Sequence, residues 1–149
     1  VPKCMADYQA KISGPVFDRI DIHIDVPAVS AADLALPPAR ESSAHVALRV
    51  EAARARQQER FAAQGAGHLL TNAEADGDLL TQIAPLQPAA LKLLTDAAEK
   101  MKLSARGWHR VLRVARTIAD LAGREVIDVP DVAEALSYRR LRGPLALAA

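Results

Sequence analysis

The chain has 149 residues, half of them apolar but only 3% aromatic, and 19 basic against 18 acidic side chains leave a formal charge of +1. That length suits one domain, or a small domain with an appended piece, and the alanine-rich, aromatic-poor composition favours packed helices over a β-sandwich. The near-zero charge gives no global field toward nucleic acid or membrane, a lone Cys4 excludes an internal disulfide, and no apolar run approaches the roughly 18 residues of a membrane span. The expectation is a cytoplasmic chain with no membrane partner. A start at Val1, without a signal-like segment, adds the expectation of a piece of something longer.

Residues 1–19 show little pattern before the turn signal Ser13-Gly14-Pro15. Ile20-Asp-Ile-His-Ile-Asp-Val26 then alternates apolar and polar without a fault and predicts a half-buried β-strand ending at Pro27. One strand is not stable alone, so its partners are expected in sequence that this chain lacks. Residues 28–40, with Pro37-Pro38, read as a linker.

Ser42 or Ser43 can cap a helix to about Gln64, whose thin stripe of Val46, Val50, Ala53 and Phe61 predicts a position at the edge of the body. Gly65-Ala-Gly67 breaks it and 68–77 reads as loop. Asp78 is a possible cap for a short helix through Ala84, stopped by Pro85. Pro88 opens a helix over 88–101 with Leu91, Leu94, Ala98 and Met101 inward.

The clearest helix follows three residues later, so the two are expected to fold back as a pair. Ser104 caps it and Gly123 ends it, and Trp108, Val111, Leu112, Ala115, Ile118, Ala119 and Ala122 form its core stripe. The opposite face carries Arg106, Arg110, Arg113 and Arg116. Such a row is either a solvated face or a phosphate-binding one; Arg110, Arg113 and Arg116 are candidate nucleic-acid contacts. Arg106 stands apart, because a first-turn cation opposes the helix dipole unless an anion shares the site. Asp128 starts a last helix with Pro130 and Asp131 in its first turn and Val132, Ala135 and Leu136 inward. Residues 143–149 read as an unstructured tail.

The absences narrow the chemistry. There is no G-x-x-x-x-G-K-[ST] phosphate loop and no G-x-G-x-x-G turn, so the chain does not cradle a nucleotide unaided. His23, His45, His68 and His109 show no i, i+4 pairing, and no metal site is expected. Ser42-Ser43 near His45 lacks a matching acid. Arg19 and Arg106 remain as candidates for phosphate chemistry, to which the planar, permanently charged guanidinium is suited. For Arg19 the competing reading is a local pair with Asp18 or Asp21.

Tyr8-Gln-Ala-Lys-Ile-Ser-Gly-Pro-Val-Phe-Asp-Arg-Ile-Asp-Ile-His-Ile-Asp-Val-Pro27 resembles the segment after sensor 1 in the magnesium-chelatase-like AAA+ ATPases, the ComM/YifB group. Glu41-Ser-Ser-Ala44, Val50-Glu-Ala-Ala-Arg-Ala-Arg-Gln57, Asn72-Ala73, Leu103-Ser-Ala-Arg106, Arg113-Val-Ala-Arg-Thr-Ile-Ala-Asp-Leu-Ala-Gly123 and Glu134-Ala-Leu-Ser-Tyr-Arg139 resemble that family's C-terminal domain. Gly107-Trp-His109 departs from the family's small residue, aromatic and acid, and Phe17 from a common leucine. Cys4 would be the last member of a cysteine-rich insert carried upstream by many relatives.

The resemblance implies a mainly α fold, a helical AAA+ lid bundle with a one-strand remnant of the α/β ATPase core. Residues 1–39 would be the tail of that core, 40–142 the lid and 143–149 a tail. It implies Arg19 as the arginine finger reaching a neighbouring subunit's ATP and Arg106 as sensor 2, both stabilising charge on the leaving γ-phosphate. ATP and Mg²⁺ would serve the full-length homo-hexamer, with none expected in this chain alone. The group is linked to DNA branch migration in natural transformation. The alternatives are a magnesium-chelatase ATPase subunit, or a non-enzymatic helical module binding DNA or protein.

Overall fold

The computed structural model describes residues 16, 19–24, 26, 28–37 and 41–139. It is mainly α: α1 (Ala31–Leu34), α2 (Ser43–Ala63), a 3₁₀ turn (Asn72–Glu74), α3 (Gly77–Ile83), α4 (Pro88–Met101), α5 (Ala105–Leu121) and α6 (Val129–Ser137). Among the described residues no helix is long and apolar enough to cross a membrane. The expected turn at 13–15 and tail at 143–149 lie outside the described residues.

α5 is the centre of the bundle and packs on α2, α6 and the 3₁₀ turn. Its start is fixed by Ser104, whose hydroxyl accepts from the Gly107 N–H, and its end by Gly123 at φ +74°, where a side chain would be strained. Val111, Leu112, Ala115 and Ala119 are buried as the stripe requires, in one core with Phe61, Leu80, Ile83, Leu94, Ile127 and Val132. α6 begins with a capping box in which Asp128 and Asp131 satisfy each other's first-turn N–H groups.

Several expectations are corrected. The described residues of 20–26 form no strand, and the described residues hold no sheet, only a single parallel bridge between Leu86 and Ile127. The physical reason is the missing partner: Ile24 and Val26 are 68% and 85% exposed, with nothing among the described residues covering them. α4 packs chiefly on α6 rather than pairing with α5. The Gln87 N–H donates to the Ile127 carbonyl and the Ile127 N–H to that of Pro85, so α4 and α6 leave the bridge side by side. That register buries Ala90 and Leu94 and turns Leu91 outward. α3 is capped by Asp76, not Asp78, and the linker contains α1, closed by reciprocal bonds between Ser30 and Asp33.

α2 meets the bundle only along its second half, through Ala53, Gln57 and Phe61. Val46, Leu48 and Val50 in its first half stay exposed, as a thin stripe at the edge implies.

Candidate functional site

The row on α5 divides into arginines that hold the fold together and one that does not. Arg116 is 0% exposed. Its guanidinium donates to the carbonyls of Arg124 and Glu125 just beyond the helix and pairs with Asp120 one turn on. Burial lowers its pKa while Asp120 opposes the shift, so the group remains a charged strut. Asp120 is equally buried and is the hub of a polar network. Arg60 of α2 donates to both its oxygens at 2.8 and 2.7 Å, and Asn72 and Gln57 donate to Oδ2 at 2.8 and 3.3 Å. Both oxygens of this buried carboxylate are thus met by donors, the condition under which a buried charge is tolerated.

Arg113 is used by the next layer. Its Nε donates to the Ala75 carbonyl at 2.8 Å and its Nη2 lies 3.1 Å from Asp76. Asp76 caps α3, and the Gly77 N–H, followed by the Arg113 charge, holds its carboxyl below the ordinary value. His109 approaches the same carboxylate at 3.3 Å. Of the two readings of this row, a solvated face does not hold for Arg113 and Arg116. Arg116 has no surface to offer a phosphate, and Arg113 is committed to an interhelical contact.

Arg110 points the other way, toward the segment at 19–23. Its Nη1 donates to the Arg19 carbonyl and to the carboxylate of Asp21. Asp21, a candidate local partner for Arg19, is thus engaged by a residue 89 positions away, and Asp18 lies outside the described residues. Arg139, just past α6, lies over Gly107 and donates to the Ile20 carbonyl at 3.3 Å. The His23 N–H donates to the Tyr138 carbonyl at 2.9 Å. Through these ties the polar side of the alternation, Asp21 and His23, meets the helical body while the isoleucines face outward.

Arg19 and Arg106 have exposed side chains with no hydrogen bond or ion pair among the described residues. Arg106 occupies the first turn of α5, which has no acidic residue to balance it. Arg19 is brought to the same helix, since Arg110, one turn beyond Arg106, holds its carbonyl. Among the described residues the Arg19 and Arg106 guanidinium groups are thus left without a counter-charge, the chemistry that accepts an anionic oxygen. Among the described residues no group of three histidine, cysteine, aspartate or glutamate side chains could hold a metal.

Sequence reasoning missed the Asp120 hub. The i, i+4 spacing of Arg116 and Asp120 was its one local signal. The ties from Arg110 and Arg139 to residues 19–21 leave no signal in the sequence, because each spans most of the chain.

Comparison with known proteins identifies a family. The family described as "Magnesium chelatase, subunit ChlI C-terminal" matches residues 40–139, and "Magnesium chelatase, subunit ChlI" matches 1–34. The competence protein ComM of Haemophilus influenzae is 37% identical over 141 residues, 94% of this chain and 26% of that protein. The uncharacterised YifB of Escherichia coli is 34% identical over 149 residues, again 94% and 26%. An uncharacterised protein of Mycobacterium tuberculosis strain H37Rv is 39% identical over 138 residues, 89% and 26%. The chain thus spans about a quarter of the length of the relatives it matches. On these matches and a helical bundle that agrees with them, the chain belongs to the magnesium-chelatase-like family of AAA+-type ATPases, in the group of ComM and YifB.

Proposed function

We propose that the chain acts as the C-terminal part of an oligomeric AAA+ ATPase, supplying Arg19 as arginine finger and Arg106 as sensor 2. The observation that carries this reading is selective. Of the arginines singled out from the sequence, the two at the family's motif positions are the two whose guanidinium groups the described fold leaves unneutralised. A cation in a helix's first turn is unfavourable by a few tenths of a kcal/mol, about 0.3–1. A γ-phosphate would outweigh that term by attracting both the cation and the helix N-terminus. Mg²⁺ and the phosphate loop would come from residues outside this chain, which has no G-x-x-x-x-G-K-[ST] sequence.

In this reading residues 1–39 are the tail of the ATPase core and 40–142 the lid, and the family matches at 1–34 and 40–139 support that division. The exposed row Ile20, Ile22, Ile24 and Val26 would pair with the core's sheet. The assembly is a cytoplasmic homo-hexamer in which each finger reaches a neighbour's ATP. DNA branch migration is favoured over chelatase work, because a protein named for competence is 37% identical. A helical module binding DNA through Arg110, Arg113 and Arg116 loses support, since those groups bond within the fold. The test is ATP turnover of full-length Arg19→Ala and Arg106→Ala. Both should lose turnover while folding and assembling; wild-type turnover in either would remove that residue's role.

A further inference from the structure

The two ties from α5 and the end of α6 to residues 19–21 do more than attach a loose segment. The Arg19 N–H donates to the Val16 carbonyl at 3.0 Å, and its own carbonyl accepts from Arg110. The following carbonyl, that of Ile20, accepts from Arg139, and the Asp21 carboxylate accepts from Arg110. Peptide planes on both sides of Arg19 are therefore held, and with them the direction in which its Cα–Cβ bond leaves the chain. Among the described residues this segment pairs with no strand and exposes its apolar row, so within this chain it is these bonds that fix that direction. The pair is also only partly exposed, at 19% for Arg110 and 36% for Asp21, where an ion pair is stronger than on open surface.

We propose that Arg110, assisted by Arg139, is the positioning residue for Arg19, locking the finger to the lid helix so that Arg19 and Arg106 move as one body. The proposal rests on the reading of Arg19 as the finger. Asp21 plays the complementary part by neutralising Arg110. Arg110 touches no phosphate itself. Its loss should lower kcat, since a misplaced catalytic group costs rate, and leave KM for ATP close to wild type, because ground-state binding belongs to other residues.

The experiment is steady-state ATP hydrolysis by the full-length protein without nucleic acid, comparing wild type, Arg19→Ala, Arg110→Met, Arg110→Lys, Asp21→Ala and the Arg110→Met/Asp21→Ala pair. Arg110→Met keeps the apolar stem and removes the donor. The expected result is a fall in kcat of about ten- to a hundredfold for Arg110→Met and Asp21→Ala, with KM within about twofold. The double variant should be no worse than the more impaired single, and Arg110→Lys should recover most of the rate. If Arg19→Ala is inactive while Arg110→Met turns over like wild type, the positioning role is wrong and the finger stands. If Arg110→Met and Arg110→Lys lose activity equally with a lowered melting temperature, the contact is merely structural and the proposal fails. If Arg19→Ala itself is fully active, the finger reading fails.

Discussion

Arg106 and Arg116 sit ten residues apart on one helix with opposite fates. Arg116 is enclosed by Asp120 and by the carbonyls that follow the helix, and Arg106 meets none of these. For Arg116 and Arg60, Asp120 is the shared counter-charge, so Asp120→Ala leaves two guanidiniums without it. The expected cost is about 3–5 kcal/mol, read as a drop in the urea midpoint. Asp76 gives a pH signature. Its carboxyl is held below the ordinary 3.8 by the Gly77 N–H and Arg113, so its contribution is complete above that value and fades as pH falls through the lowered one. Asp76→Asn should therefore lower the melting temperature at neutral pH, and the gap from wild type should close in acid. A gap that persists at the lowest pH would mean that the carboxylate charge is irrelevant there.

At the scale of elements, the helices at 43–63, 88–101, 105–121 and 129–137 were legible because caps and periodicity agree in each: Ser42, Pro88, Ser104 and Asp128 all stand where the chain turns helical. What was not legible was partnership. Nothing local tells α4 to pack on α6, because the deciding contact is the bridge between Leu86 and Ile127, about 40 residues apart. The strand reading of 20–26 identified a real alternation, but strand formation depends on a partner that is not met among the described residues. Of the candidate site, Arg19 and Arg106 were visible through motif position; of the commitment of Arg113 and Arg116 only the i, i+4 pair with Asp120 left a signal, since the bonds to Ala75, Glu125 and Arg124 go to backbone carbonyls that any sequence supplies. α2 also divides in two by burial. Amides of 47–52 should exchange with solvent much faster than those of 111–119, and Phe61→Ala, which empties the contact of α2 with the core, should cost about 3–5 kcal/mol. Uniform protection along α2 would contradict that division.

For the whole molecule, the exposed row Ile20, Ile22, Ile24 and Val26 and the exposed Arg19 and Arg106 lie on a chain that is about a quarter of its relatives' length. The 149 residues alone should hydrolyse no ATP, since they contain no phosphate loop and complete no neighbour's site. Measurable turnover by the purified fragment would show that the chemistry lies elsewhere than supposed. The most direct measurement is the rate of ATP hydrolysis by the full-length protein carrying Arg19→Ala or Arg106→Ala, in preparations shown to fold and assemble as wild type does. If these two guanidiniums stabilise the departing γ-phosphate, each variant should fall by about a hundredfold or more, and the finger variant by up to about 10³–10⁵-fold. Turnover at the wild-type rate in both variants would contradict the account.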